Sequence, residues 1–207
     1  KEASAVLVFD EISSGFRMNT GGAHMKYGVE PDIAVFSKAL GNGYPIAAII
    51  GSKKVMNASQ STFISSTNWS ERIGPAAAIA MITKHRDNKV GDHLVAIGKE
   101  VQNGWRKISE KHNLKINISG IEPLSHFSFD TRDPSTYKSI FIELMLKEGF
   151  LATTNFYSMY SHNGEQVHRY LSSMDKVFKL IKKFEKSGEL RSKLKGMPSA
   201  EGFTRLA

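Results

Sequence analysis

The chain has 207 residues, 41% apolar and 23% charged, which reads as a globular rather than a disordered protein, of one large domain or two small ones. Cysteine is absent, so disulfides, thiolate metal sites and cysteine nucleophiles are excluded, and the composition suits a cytoplasmic protein. The formal net charge of +8 would permit anion binding, but much of the excess lies in residues 176–195, on the wet face of one helix, so nucleic acid is not an expected partner.

Lys1-Glu2-Ala3-Ser4 leads straight into an apolar strand, so a signal peptide is not expected. The first residue is not Met and the strand has no lead-in, which reads as a fragment of a longer protein. Ala5-Val6-Leu7-Val8-Phe9 is a continuous apolar run ending in Asp10-Glu11, the pattern of a strand buried on both faces of a parallel sheet. Ile33-Ala34-Val35-Phe36 and Ile46-Ala47-Ala48-Ile49-Ile50 are a second and a third, with the turn Gly41-Asn42-Gly43 between them. A polar loop spans residues 59–70. Gly74-Pro75 then starts a helix that continues through Ala76-Ala77-Ala78-Ile79-Ala80-Met81-Ile82.

Val90, Leu94, Ile97, Val101, Trp105 and Ile108 recur at steps of three and four and make one apolar stripe along a second helix, which Gly98 and Gly104 weaken. Ile116-Asn117-Ile118 and His126-Phe127-Ser128-Phe129-Asp130 alternate, as half-buried antiparallel strands do. Residues 137–149 form a helix ended by Gly149. Val177, Leu180, Ile181 and Phe184 mark a final amphipathic helix, and the last dozen residues are polar and loosely held. The chain thus divides into an α/β part, residues 1–88, and an α+β part, residues 89–207. No apolar run nears the roughly 18 residues a membrane helix needs, so no membrane partner is expected.

Asp10 and Lys38 each end an apolar strand, and the carboxy ends of strands are where open α/β sheets bind ligands. A carboxylate and an amine in one dry site suit pyridoxal 5′-phosphate (PLP) chemistry. The lysine captures the aldehyde as a Schiff base, and the acid keeps the pyridine nitrogen protonated. By themselves the two residues read more simply as a loop carboxylate and an exposed turn lysine.

Phe9-Asp10-Glu11-Ile12, Gly15-Phe16-Arg17, Tyr27-Gly28-Val29-Glu30-Pro31-Asp32-Ile33 and Ser37-Lys38-Ala39-Leu40-Gly41-Asn42-Gly43-Tyr44-Pro45-Ile46 together resemble the class III aminotransferases. These are fold-type I PLP enzymes, with glutamate-1-semialdehyde aminomutase as a close member. The resemblance runs in order over residues 5–80. It continues more faintly through Gly149-Phe150-Leu151 and Ser161-His162-Asn163-Gly164-Glu165-Gln166. It implies the carboxy-terminal half of the fold-type I large domain (residues 1–88), followed by a small α+β domain (residues 89–207).

The resemblance also implies roles. Lys38 is the Schiff-base lysine and the base that moves the 1,3-proton. Asp10 meets the pyridine nitrogen, and Ile12 packs on the ring. Thr67, in Phe63-Ile64-Ser65-Ser66-Thr67, bonds the phosphate of a neighbouring subunit's cofactor, so a homodimer with shared sites is expected. The implied reaction is amino transfer between an amino donor and a carbonyl acceptor, both small molecules. Intramolecular glutamate-1-semialdehyde 2,1-amino transfer is an alternative, and a truncated non-catalytic copy is another. The aminomutase loop carries a Gly-Thr…Gly-Asn-Pro pattern. Here Ser66-Thr67-Asn68-Trp69-Ser70-Glu71-Arg72 stands instead, which points to a plain aminotransferase. The family also needs an amino-terminal half that supplies a phosphate loop and a ring-stacking aromatic, so this chain alone is expected to be inactive.

No metal is expected, since His162 and His168 lack zinc-helix spacing. His85, His93 and His112 lie among charges on helices and read as surface residues. Arg17 suits either a substrate carboxylate or a structural ion pair. Trp69, Trp105 and the twelve phenylalanines read as core.

Overall fold

The computed structural model describes residues 5–68 and 70–199. They form two compact units that divide after Val95, inside a long helix. The first unit holds a three-stranded sheet, β1 (Val8–Asp10), β2 (Ile33–Phe36) and β3 (Ala48–Gly51), in that order. β1 and β2 run parallel, with Val8 against Ile33 and Asp10 against Val35.

β3 returns antiparallel, with Phe36 against Ala48, which corrects the expectation of a third parallel strand. The connection explains it. A parallel return needs a crossover of about a dozen residues or more, normally a helix. The chain instead turns at once through Asn42 and Gly43, whose φ angles are 47° and 106°.

The expectation of strands buried on both faces is corrected too: Ala34 and Phe36 are buried, whereas Val8, Ile49 and Ile50 are exposed. The covered side packs against α2 (Ile73–Asp87), where Ala78, Met81 and Ile82 meet Phe16, Ala34, Phe36 and Leu40. The short α1 (Lys53–Met56) and a 3-10 turn, Asn57–Ser61, precede an exposed segment in which Phe63 is 95% exposed, so not every phenylalanine is core. Trp69 lies outside the described residues.

The apolar stripe forms as expected on α3 (Val90–His112), and all six of its residues are buried. The second unit has an antiparallel sheet of β4 (Ile116–Ser119), β5 (Leu124–Phe129) and β6 (Asn155–Tyr157). In β5, Ser125, Phe127 and Phe129 point inward, the two-residue period of a half-buried strand. α4 (Pro134–Lys147) begins where Asp133 accepts from the Thr136 N–H at 3.2 Å and Pro134 fills the first turn. α5 (Gly164–Ser187) opens on a reciprocal cap: Asn163 accepts from Gln166 N–H at 2.9 Å and Gln166 from Asn163 N–H at 3.0 Å. α6 (Leu190–Lys193) closes the described part.

Phe127 sits at the centre of this core, edge-on to Trp105 at 4.9 Å and to Phe141 at 5.3 Å between ring centroids. Such pairs add about 0.5–1.5 kcal/mol to the gain from burial. Trp105 Nε1 donates to the Tyr170 hydroxyl at 3.1 Å, so the buried indole keeps its partner. No helix among the described residues is long and apolar enough to cross a membrane. Residues 200–207, most of the tail expected to be loosely held, lie outside the described residues, as does Lys1-Glu2-Ala3-Ser4.

Candidate active site

The parallel register decides where the two chemical residues go. Asp10 is level with Val35, and Lys38 follows Val35 on the same strand direction, so both residues emerge at the carboxy edge of the β1–β2 pair. Both are exposed there. Asp10 Oδ1 accepts from the Ile12 N–H at 3.0 Å, which curls the chain after β1 into a turn. The turn carries Ser13 back toward β2, where the Lys38 amine donates to Ser13 Oγ at 2.5 Å.

Lys38 has φ 47°, a left-handed conformation uncommon outside glycine, asparagine and aspartate. Strained backbone of this kind persists only where the surroundings enforce it, and it gathers at functional sites. Here the Lys38 carbonyl accepts from the N–H groups of Gly41 at 3.2 Å and Asn42 at 3.0 Å, which holds the residue in place.

Beneath the turn lies Glu11, 1% exposed. Its carboxylate accepts from the His24 N–H at 2.9 Å, from His24 Nδ1 at 3.0 Å and from the Ser14 hydroxyl. Burial works against the charge, but these bonds and one from the Ala23 N–H outweigh it and hold the carboxyl below its ordinary value. Sequence reasoning did not single out Ser13, Ser14, Glu11 or His24. Glu11 carried a usable signal, because an acid directly after a strand-ending acid must point to the other side. Nothing in the sequence pairs it with His24.

Ile12 is half-buried beside Asp10. Thr67 is exposed on the segment before α2 and makes no hydrogen bond to Asp10, Ile12 or Lys38. Arg17 donates from Nε to the Ser13 carbonyl at 3.2 Å and so takes part in the same turn. His85 is not the surface residue expected: it is 5% exposed, with Nδ1 2.8 Å from the Thr20 hydroxyl and Nε2 3.0 Å from the Phe16 carbonyl. A carbonyl only accepts, so Nε2 carries the proton and Nδ1 accepts. His112 is likewise tucked in, 2.8 Å from Asp175. Among the described residues no group of three or more His, Asp or Glu is placed to hold a metal ion.

The donor set therefore comprises an exposed amine, and a carboxylate of which one oxygen takes the Ile12 N–H, both at one sheet edge. That set fits an aldehyde-bearing heteroaromatic cofactor with a basic ring nitrogen. A family model described as aminotransferase class-III matches residues 1–178. The chain belongs to the class III aminotransferases.

Among curated relatives of these class III aminotransferases, 3-aminobutyryl-CoA aminotransferase of Cloacimonas acidaminovorans (strain Evry) is 31% identical over 166 residues, covering 80% of this chain and 39% of that protein. Glutamate-1-semialdehyde 2,1-aminomutase of Clostridium botulinum (strain Alaska E43 / Type E3) is 29% identical, covering 83% and 45%. The FumI protein of Sphingopyxis sp. MTA144, solved in its PLP internal aldimine form, superposes with a TM-score of 0.83 at 27% identity, covering 90% of this chain and 45% of that one. An omega-transaminase from Sphaerobacter thermophilus gives a TM-score of 0.78 at 18% identity, covering 86% and 45%, a likeness of fold. The chain spans less than half the length of these relatives. Its α/β unit and α+β unit correspond to the carboxy-terminal half of the fold-type I architecture, as the resemblance implied.

Proposed function

We propose that the complete protein to which this chain belongs is a PLP-dependent aminotransferase, with Lys38 as the residue that bonds the cofactor. One observation carries the reading: Lys38, in an enforced left-handed conformation, and Asp10 leave adjacent parallel strands at the same edge. When bound, PLP supplies an aldehyde that an amine captures and a protonated ring that draws electrons from an adjacent carbanion. Asp10, with one oxygen on the Ile12 N–H, has its other oxygen to accept a hydrogen bond from the protonated ring nitrogen and so keep that proton on the ring. Ile12, half-buried beside Asp10, would pack against the ring. Lys38 Nζ would hold the cofactor's aldehyde carbon and, when free, would move a proton from the substrate carbon. Thr67, exposed and with no hydrogen bond among the described residues, holds the phosphate at a neighbouring subunit's site in a homodimer.

Residues 1–88 are on this reading part of a PLP-binding large domain and residues 89–207 a small domain. The exposed apolar faces of β1 and β3 are covered by polypeptide outside this chain, which also supplies the phosphate loop and most of the substrate pocket. Intramolecular amino transfer is the second reading, favoured by relatives that are aminomutases. A truncated non-catalytic copy is the third reading.

The test is borohydride reduction of the protein with PLP, followed by peptide mass mapping, on a polypeptide that includes the upstream half. A pyridoxyl group confined to Lys38 and lost in Lys38→Ala supports the reading. A label spread over surface lysines, with Lys38 unmarked, overturns it. Release of a keto product distinct from the amino donor separates transamination from the mutase reaction.

A further inference from the structure

We infer that Ser13 is a positioning residue for Lys38: its hydroxyl receives the lysine amine whenever that amine is not bonded to cofactor. The inference rests on the PLP reading of Lys38 and adds a residue to it. Lys38 is an exposed side chain on a long flexible stem, and such a stem loses about 2 kcal/mol of rotamer freedom when it is fixed. An amine that must leave the cofactor and come back to one carbon needs a resting partner, or it wanders into solvent. Among the described residues the Lys38 amine has one side-chain acceptor, Ser13 Oγ.

The acceptor is itself fixed on several sides. Glu11 N–H donates to the Val35 carbonyl at 2.9 Å, tying the turn to β2. Gly15 N–H donates to the Glu11 carbonyl at 2.9 Å, and Arg17 Nε donates to the carbonyl of Ser13 itself. The buried Glu11 carboxylate holds Ser14, the next residue. Lys38 is fixed at its own backbone by the bonds from Gly41 and Asn42. The distance between the two side chains is thus set by two rigid turns rather than by chance contact of surface groups. A hydroxyl suits the place chemically. It accepts from Lys38 Nζ when the amine is free, and it can rotate to donate when that nitrogen is engaged and has lost its spare hydrogens.

The test follows acylation of the full chain by N-hydroxysuccinimidyl acetate, scoring Lys38 against Lys107 and Lys147 by peptide mass spectrometry. Freed from its acceptor, Lys38 in Ser13→Ala is expected to react about threefold faster than in the wild type, the scale of one exposed hydrogen bond. Ser13→Thr keeps the hydroxyl and is expected to match the wild type. Unchanged rates at Lys107 and Lys147 show that the reagent acts alike on both proteins, and an unchanged circular dichroism spectrum and melting midpoint show that the fold is intact. Equal Lys38 rates in wild type and Ser13→Ala, or a Ser13→Thr rate equal to that of Ser13→Ala, would overturn the inference.

The same variants are then treated with PLP and borohydride in the longer polypeptide. A pyridoxyl group on Lys38 with no effect of Ser13→Ala on acylation sinks the role of Ser13 and leaves the cofactor reading standing. A shifted acylation rate with no pyridoxyl on Lys38 does the reverse.

Discussion

Glu11 and His24 meet through two bonds to one oxygen, the His24 N–H at 2.9 Å and its Nδ1 at 3.0 Å, directly below the turn that carries Asp10 and Ser13. The carboxyl is held below its ordinary value of 4.5, so its stabilisation is present above that value and is lost as pH falls through and below it. Glu11→Gln is expected to lower the unfolding free energy by about 2 kcal/mol at neutral pH, the scale of a charged hydrogen-bond set. The gap should close in strong acid. Urea denaturation at both pH values checks this, and equal midpoints at neutral pH would refute it.

His85 gives a second pH signature with its own window. Burial lowers its pKa, and the bond to the Phe16 carbonyl only partly offsets that. A base with a depressed pKa stays neutral in the folded state while the unfolded chain takes up a proton. Stability is therefore full above the ordinary value of 6.5 and declines as pH falls below it. In His85→Gln the part of the decline between pH 7 and 5.5 should disappear. Thermal midpoints of the two proteins across that interval decide the matter.

What the sequence could and could not convey follows from range. The α3 stripe was legible because burial of one helix face leaves a period, and every stripe residue is buried. Asp10 and Lys38 were legible because each ends an apolar run. The antiparallel return of β3 was not, since strand direction depends on the length and turn chemistry of the connection rather than on the strand. Strand β6 has three residues, too few for a period to show. The burial of His85 was hidden because its partners, Thr20 and Phe16, are 65 and 69 residues away. The neighbouring charges on its helix pointed to solvent, while the residue itself faced inward.

Gly98 looked like a weak point in a helix, and the structure gives it a reason. A Cβ there would lie 1.9 Å from the Glu122 carbonyl oxygen, closer than any contact allows, and the obstacle is backbone. Helix propensity alone would make Gly98→Ala stabilising by about 1 kcal/mol. The close approach should reverse the sign and destabilise the protein by about 1–3 kcal/mol, as overpacking does. Chemical denaturation of Gly98→Ala separates the two, because a rise in midpoint would show that the loop at Glu122 yields freely.

The uncovered sheet leads to the last prediction. Val8, Ile49 and Ile50 are 52%, 60% and 55% exposed, and among the described residues β1 pairs on one side only, with β2. An unpaired edge beside exposed apolar side chains recruits further strands, most readily from identical chains. The chain alone should therefore self-associate as its concentration rises. Val8→Lys places a charge on the open edge strand and is expected to shift sedimentation toward monomer. Supplying the upstream half should do the same without any substitution, since on the proposed reading that polypeptide is what covers this edge. If the wild-type chain stays monomeric and does not bind a hydrophobic dye, the edge is protected in some other way and the covering role assigned to the upstream half fails.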